Sequence, residues 1–256
     1  MSIFKSFSLE GKVALVTGGS KGLGYAMATA LAEAGAEIAL CSRTPGEAKT
    51  AADAIQATTG KRALGFVADV TNKDSVQSLA EELSFAFGKT DILVNNAGIN
   101  VRKSTQELLE EDWDSVMDIS VKGSFLLSQA LMPEMIERNY GRIIMLGSIM
   151  SFVSIPNRAA YASAKSALLG LTRTLALEGA PYGVTVNCLC PGPFETEMNK
   201  PLMNDPVAYA AFLSKIPLGR WGQPEELGGA IVYLASPASA FMTGTSFTLD
   251  GGWTAQ

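Results

Sequence analysis

The chain has 256 residues, 47% apolar and 18% charged, with no histidine and a formal net charge of −5. An acidic chain without a basic cluster gives no support to nucleic-acid binding. The missing histidine excludes His-based triads and the usual zinc sites, so no metal site is expected and proton chemistry falls to Tyr, Lys, Asp, Glu or water.

Residues 1–8 (MSIFKSFS) read as an N-terminal extension without the apolar core of a signal peptide. The remainder, 9–256, alternates strand-like and helix-like segments with no Pro/Ser linker or composition break, which predicts a single α/β domain. Its parallel sheet would carry helices on both faces. The run KVALVT at 12–17 is a short apolar stretch with the character of a buried strand. It leads at once into GGSKGLG at 18–24 and then into a helical stretch at 25–34. Strand, glycine turn and helix start are the context a dinucleotide-binding loop needs. Gly18 permits the tight turn, Gly22 lets backbone approach a pyrophosphate, and Gly24 lets helix and strand pack closely. Ser20, Lys21 and Leu23 complete the loop, whose free N–H groups suit phosphate oxygens.

The second strand, 37–41, ends in Ser42 and Arg43 with no Asp or Glu to accept from ribose hydroxyls. Arg43, helped by Ser42 and Lys21, can pair with a 2′-phosphate instead. The cofactor expected is therefore NADP, with NAD left open. A third strand, 63–68, runs into Asp69 and Val70, and a fourth, 91–94, into NNAG at 95–98. Beyond it Arg102 and Lys103 offer positive charge to a carboxylate or phosphate, or form a solvated pair.

The segment 159–178 is rich in Ala and Leu and free of Pro, so it predicts a helix. Tyr161 and Lys165, at i and i+4, share one face of it. A cation one turn from a phenol favours the phenolate, and the hydroxyl of Ser148 can hold a carbonyl oxygen nearby. The set can move a proton to or from a carbonyl or alcohol oxygen. Cys188 and Cys190, i and i+2 on one strand, and Cys41 suit burial in a reducing, cytoplasmic compartment rather than a disulfide framework. A Pro-punctuated apolar stretch, 193–220, reads as a substrate lid, and 227–249 as helix, turn and buried strand rather than a membrane span.

The spacing TGxxxGxG at 17–24, NNAG at 95–98, Ser148 with Tyr161 and Lys165, PGxxxT at 191–196 and DGG at 250–252 together resemble the short-chain dehydrogenase/reductase family, over roughly 9–252. The resemblance implies a Rossmann-type doubly wound sheet of about seven strands and an NAD(P)-dependent oxidoreductase acting on a small-molecule carbonyl or secondary alcohol. It implies that Ser148, Tyr161 and Lys165 are catalytic, with Lys165 also binding the nicotinamide ribose. Asn95, Ala97 and Gly98 would line the cofactor, Asp69 and Val70 would meet the adenine, and Pro191, Gly192, Phe194 and Thr196 would meet the nicotinamide end. It also implies a homo-oligomer, tetramer or dimer. The chain departs from the family at Ser120, where Asn is usual and helps hold a water linking the catalytic lysine to solvent. Within the family, the run 95–102 is similar to that of sugar-acid enzymes such as gluconate 5-dehydrogenase. The alternatives are a 3-oxoacyl-carrier-protein reductase and, from another class, a non-catalytic dinucleotide sensor or scaffold. Near the positions where carrier-protein reductases tend to present two arginines, this chain has Asn139 and Tyr182.

Overall fold

Strand β1 (Val13–Thr17) is buried along its whole length. Its alternate side chains enter different cores, Ala14 and Val16 on one side and Leu15 on the other. A strand buried on both faces needs helices above and below it, which parallel crossovers supply. The computed structural model, which describes residues 2–255, has that arrangement. A short helix α1 (Ile3–Ser6) precedes β1. Then come α2 (Gly22–Glu33), β2 (Glu37–Ser42), α3 (Glu47–Thr59), β3 (Ala63–Val67), α4 (Lys73–Phe87) and β4 (Ile92–Asn95). The second half holds α5 (Glu110–Met117), α6 (Gly123–Glu137), β5 (Gly141–Leu146), α7 (Ala159–Gly179) and β6 (Val184–Pro191). It closes with α8 (Lys200–Met203), α9 (Pro206–Leu213), α10 (Gly228–Ala235) and β7 (Ser246–Leu249).

The seven strands form one parallel sheet in the order β3-β2-β1-β4-β5-β6-β7. This is the single-domain, doubly wound class expected from the alternation of elements. Residues of α2, α3 and α10 pack on one face of the sheet, and those of α4, α6 and α7 on the other. The order reverses between β1 and β4, which opens a crevice at the carboxyl ends of these two strands. The glycine loop follows β1 and the NNAG segment continues from β4, so both lie at those ends.

Two details differ from expectation. β7 is an edge strand, so its residues are half-buried to exposed rather than buried. Between α5 and α6 the helix widens into a π turn, Asp118–Lys122. At the other end of the chain the body starts with Leu9, fully buried, whose N–H donates to the Ala34 carbonyl at 2.8 Å. α1 ahead of it buries no residue.

After β6 the chain departs through a parallel bridge between Phe194 and Gly222. Glu195 N–H donates to Gly222 O, and Gly222 N–H to Pro193 O, both at 2.9 Å. Phe194 is buried in the body. Between these two points α8 and α9 pack Leu202, Met203, Phe212 and Leu213 around Trp221 and Trp253. The DGG turn fixes Trp253 from below: Asp250 accepts from the Thr254 hydroxyl at 2.6 Å and from Gly252 N–H at 2.9 Å.

Candidate active site

A cavity of about 420 Å³ fills the crevice between the ends of β1 and β4. Its floor is the glycine loop. Gly18 and Gly22 have φ of +59° and +58°, the left-handed region that glycine enters without a Cβ penalty. Gly24 is required for another reason: a Cβ there would lie 2.5 Å from both the Asn96 side chain and the Gly18 carbonyl. The Asn96 amide donates to the carbonyls of Thr17 (2.7 Å) and Gly18 (3.1 Å). In return the Thr17 hydroxyl accepts from the N–H groups of Asn96 and Ala97 at 3.0 and 2.9 Å. Asn96 thus laces the two strand ends together, a role the sequence reading missed because it looked at Asn95. The first turn of the twelve-residue α2 has no side-chain cap, and Gly22, Leu23 and Gly24 from it line the cavity. Uncapped N–H groups beside a Cβ-free floor fit a pyrophosphate.

Ser20 and Lys21 line the same end, with Ser42, Arg43 and Val70. Arg43 is exposed and makes no ion pair among the described residues, whereas Lys21 lies 3.9 Å from Glu47. Glu47, which sequence inspection passed over, also accepts from the Ser20 hydroxyl at 3.4 Å and faces the cavity. Two expected contacts fall outside the lining. The Asp69 carboxylate turns back on its own loop, accepting from Thr71 N–H at 2.9 Å and its hydroxyl at 2.8 Å. These bonds, the backbone one foremost, hold its pKa below the ordinary carboxylate value. Asn95 is buried against α6 and donates to Ser128 Oγ at 3.3 Å. Ala97 and Gly98 do line the cavity, as do Pro191, Gly192, Phe194 and Thr196 at its far end.

Ser148, Tyr161 and Lys165 meet at that far end, all three on the cavity wall. Ser148 caps the short turn Ile149–Ser151 and accepts from Met150 N–H at 3.1 Å, which leaves its hydroxyl proton free to donate. Ser151 accepts from Ser148 N–H at 3.3 Å and donates to the Lys165 carbonyl at 2.8 Å. It pins the Ser148 turn to α7, a positioning role not legible in the sequence. Lys165 is only 4% exposed, and its ammonium donates to the Leu146 carbonyl at 2.5 Å. It lies 5.6 Å from the centroid of the Tyr161 ring. Three donors on one ammonium leave others free for a ligand.

Ser120 stands behind this group rather than on the wall. Its hydroxyl is buried without a hydrogen-bond partner, in the π turn between α5 and α6. A Cβ at Gly98 would lie 3.4 Å from Ser120 Oγ and 3.7 Å from Lys165 Nζ, so hydroxyl and ammonium flank the same backbone position. Single π turns inside helices are frequent at functional sites. The pair Arg102 and Lys103 is split. Lys103 binds Asp112 at 2.5 Å, while Arg102 reaches the segment after β6, donating to Met198 O at 2.9 Å and Asn199 Oδ1 at 3.0 Å.

The three cysteines are buried and free. Burial pushes the Cys41 thiol up to about 12. Cys188 and Cys190 lie with their sulfurs 3.7 Å apart beneath Gly147, where a Cβ would come within 2.7 and 2.8 Å of them. Iodoacetamide at pH 8 should therefore leave Cys41 unlabelled in the native protein and label it only after unfolding. Mass spectrometry of the native sample would detect any early adduct at that residue, which would contradict the burial.

A family model described as "Enoyl-(Acyl carrier protein) reductase" matches residues 18–254. The chain belongs to the short-chain dehydrogenase/reductase family. It is 40% identical to 2-dehydro-3-deoxy-D-gluconate 5-dehydrogenase of Dickeya dadantii, across 99% of this chain and 100% of that one. It is 39% identical to a 3-oxoacyl-acyl-carrier-protein reductase of Vibrio cholerae, across 96% and 98%. Among solved structures, a gluconate 5-dehydrogenase from Burkholderia cenocepacia in complex with NADP and tartrate superposes with a TM-score of 0.96. It is 38% identical, with 99% of each chain covered. Matches of this span carry the family's oxidoreductase chemistry, with a nicotinamide dinucleotide, to the whole chain. Among the described residues no helix is long and apolar enough to cross a membrane.

Proposed function

We propose that the chain is an NADP(H)-dependent oxidoreductase interconverting the carbonyl and secondary-alcohol forms of a sugar acid or polyol. The observation that carries this reading is the meeting of Ser148, Tyr161 and Lys165 on the wall of the same cavity whose floor is the glycine loop. When bound, the dinucleotide supplies or accepts the hydride at the substrate carbon. The glycine loop and the first turn of α2 hold its phosphates, Arg43 meets the 2′-phosphate, and Thr196 with Phe194 bounds the nicotinamide end. Lys165 holds the nicotinamide ribose with the donors it does not give to Leu146. Ser148 donates its hydroxyl proton to the substrate oxygen and orients it. Tyr161 gives that oxygen a proton in reduction and takes it in oxidation.

Ser120 completes the set as a positioning residue, holding a water near the Lys165 ammonium with its unpartnered hydroxyl. Serine is shorter than asparagine and lacks the amide fork, so its hold on that water differs from the family's usual one. Replacing Ser120 by Asn should therefore move the pH–rate profile while the fold and cofactor binding stay as they are. A superimposable profile would remove Ser120 from the relay.

The names of the relatives support a sugar acid, among them the two gluconate-type dehydrogenases. A 3-oxoacyl-carrier-protein reductase is the second reading, favoured by the 39% identity to one such enzyme. Against it, Asn139 and Tyr182 are not basic, and of the two arginines close by, Arg138 is paired with Glu134 and Arg142 is buried. A third reading, a dinucleotide sensor without turnover, would leave Ser148, Tyr161 and Lys165 without a task. A cytoplasmic setting fits three unpaired, buried cysteines, and a homo-oligomer fits the exposed Leu177 on α7, 78% accessible in the single chain. The deciding experiment follows NADPH and NADH oxidation, and the reverse reaction, over sugar acids, polyols, ketones and 3-oxoacyl thioesters. Turnover of thioesters alone would overturn the sugar reading, and binding without any turnover would overturn the enzyme.

A further inference from the structure

We propose that Cys188 and Cys190 are positioning residues for the reaction: their paired sulfurs form a stop beneath Gly147 that sets the height at which Ser148 meets the substrate oxygen. The inference rests on the reading of Ser148 given above, and it assigns a task to two buried thiols that the mechanism leaves unused.

Cys188 and Cys190 stand at i and i+2 on β6, so both side chains leave the same face of the strand. They enter the core beneath α4, α6 and α7, whereas Leu189 between them enters the opposite one. Both are fully buried, with their sulfurs 3.7 Å apart. On the neighbouring strand β5, Met145 pairs with Cys188 and Leu146 with Leu189. Gly147 is the next residue, and it lines the cavity together with Ser148. The direction in which Gly147 would carry a Cβ runs onto the sulfurs. Such an atom would lie 2.7 Å from Cys188 Sγ, 2.8 Å from Cys190 Sγ and 3.1 Å from Ser151 Oγ. The backbone of Gly147 is not left-handed, so glycine is required here by the nearness of the sulfurs and not by the chain's conformation.

The hydrogen bonds of this turn act sideways. Gly147 N–H donates to the Leu189 carbonyl at 2.8 Å, strand to strand. Lys165 grips the turn twice: its ammonium donates to Leu146 O at 2.5 Å, and its own carbonyl accepts from the Ser151 hydroxyl at 2.8 Å. That hydroxyl in turn accepts from Ser148 N–H at 3.3 Å. The Ser166 hydroxyl adds a bond to the Ser151 carbonyl at 3.2 Å. These ties hold the turn to β6 and to α7. Its depth over the sheet is set by what lies under Gly147, and that is the pair of sulfurs. Close-packed interiors compress little and transmit strain, so the depth of Gly147 passes to Ser148 one residue later. A thiol suits the place because it fills space as a small hydrophobe and demands no hydrogen bond.

The geometry sets the size of the effect. A carbon 2.7–2.8 Å from the sulfurs has to retreat to ordinary contact, a shift on the order of 1 Å. A misplacement of about 1 Å in a positioned group costs about a hundredfold in rate.

The test is a cycle of variants of the full chain, read by kcat and KM for oxidation of D-gluconate with NADP, or of whichever substrate of the screen above is turned over. Melting temperature and NADPH binding by calorimetry are read alongside. Gly147→Ala should lower kcat about a hundredfold and leave NADPH binding unmoved. The pair Cys188→Ala and Cys190→Ala removes the stop, lets the turn settle into the space and should lower kcat about tenfold. All three substitutions together put a methyl where the sulfurs were, and should return kcat to within about threefold of the parent chain. A merely structural role would move the melting temperatures and leave kcat at the parental level. Should Gly147→Ala fail to fold, the triple variant is compared with the cysteine pair and should turn over faster. Should the pair fail to fold, each single cysteine variant joined to Gly147→Ala should recover part of the loss. Parental kcat in Gly147→Ala, or a loss that removing the sulfurs does not relieve, overturns the proposal. Ser148→Ala separates the two readings. If it lowers kcat while the cycle shows no coupling, the stop alone falls; if it leaves kcat untouched, the role of Ser148 falls and the stop with it. A parent chain that turns over nothing in the screen defeats the dehydrogenase reading and reduces the thiols to packing.

Discussion

Replacing Tyr161 by Phe should lower kcat by about a hundred- to ten-thousand-fold, the range for loss of a positioned acid–base group. The substitution removes one oxygen and nothing else. The ring of Tyr161 packs with Ile149, Met150 and the residues that fold over from α8 and α9, and phenylalanine keeps those contacts. Lys165 retains its bond to Leu146 and Ser148 its place on the turn at Ile149–Ser151, so the cavity keeps its shape. Binding of NADPH, followed by quenching of protein fluorescence, should match that of the parent chain. Steady-state rates of the two proteins under saturating substrate give the comparison. Equal turnover would take the proton transfer away from Tyr161, and a parallel loss of cofactor binding would mean that the variant disturbed the cavity instead.

Replacing Arg43 by Ala should raise KM for NADPH about ten- to a hundredfold and leave KM for NADH almost unchanged. The two cofactors differ only in the phosphate on the adenosine ribose, so a group that binds that phosphate acts on one of them alone. A hydrogen bond to a charged group contributes about 1.5–3 kcal/mol, which corresponds to the stated range. Arg43 is free to make it: the residue lines the cavity, faces solvent and has no carboxylate partner among the described residues. Lys21 is less available, because Glu47 stands 3.9 Å from it. The Glu47 carboxylate sits at the same end of the cavity as Arg43, where it repels a phosphate. Glu47→Gln should accordingly lower KM for NADPH, by a smaller factor than Arg43→Ala raises it. If Arg43→Ala affects NADPH and NADH alike, the arginine serves the fold of the loop and not the choice of cofactor.

What was legible in the sequence follows a physical division. β1, the glycine loop and the start of α2 could be read because buried strand, turn and helix each leave a local mark: an apolar run, four glycines within 18–24 and an apolar helical stretch. The long α7 was equally plain from its Ala and Leu content, and it set Tyr161 and Lys165 on one face. The π turn at Asp118–Lys122 was not legible, since the residues around it are ordinary helix formers and one extra residue in a turn leaves no compositional trace. Asp69 and Asn95 were placed at the cofactor by the family resemblance. Their side chains instead satisfy nearby polar groups, Asp69 in its own turn and Asn95 against Ser128.

The bridge between Phe194 and Gly222 has a further consequence. Phe194 is anchored in the body, and the chain comes back beside it at Gly222, so the intervening residues, 195–221, hang from a closed hinge pin. Lengthening, shortening or exchanging the part of that span beyond Asn199 would leave the sheet, the glycine loop and Thr196 where they are, and would change what packs over the Tyr161 ring. Diversification of this architecture is therefore modular: one appended flap can be traded for another to admit a different molecule, while the redox machinery beneath is inherited intact.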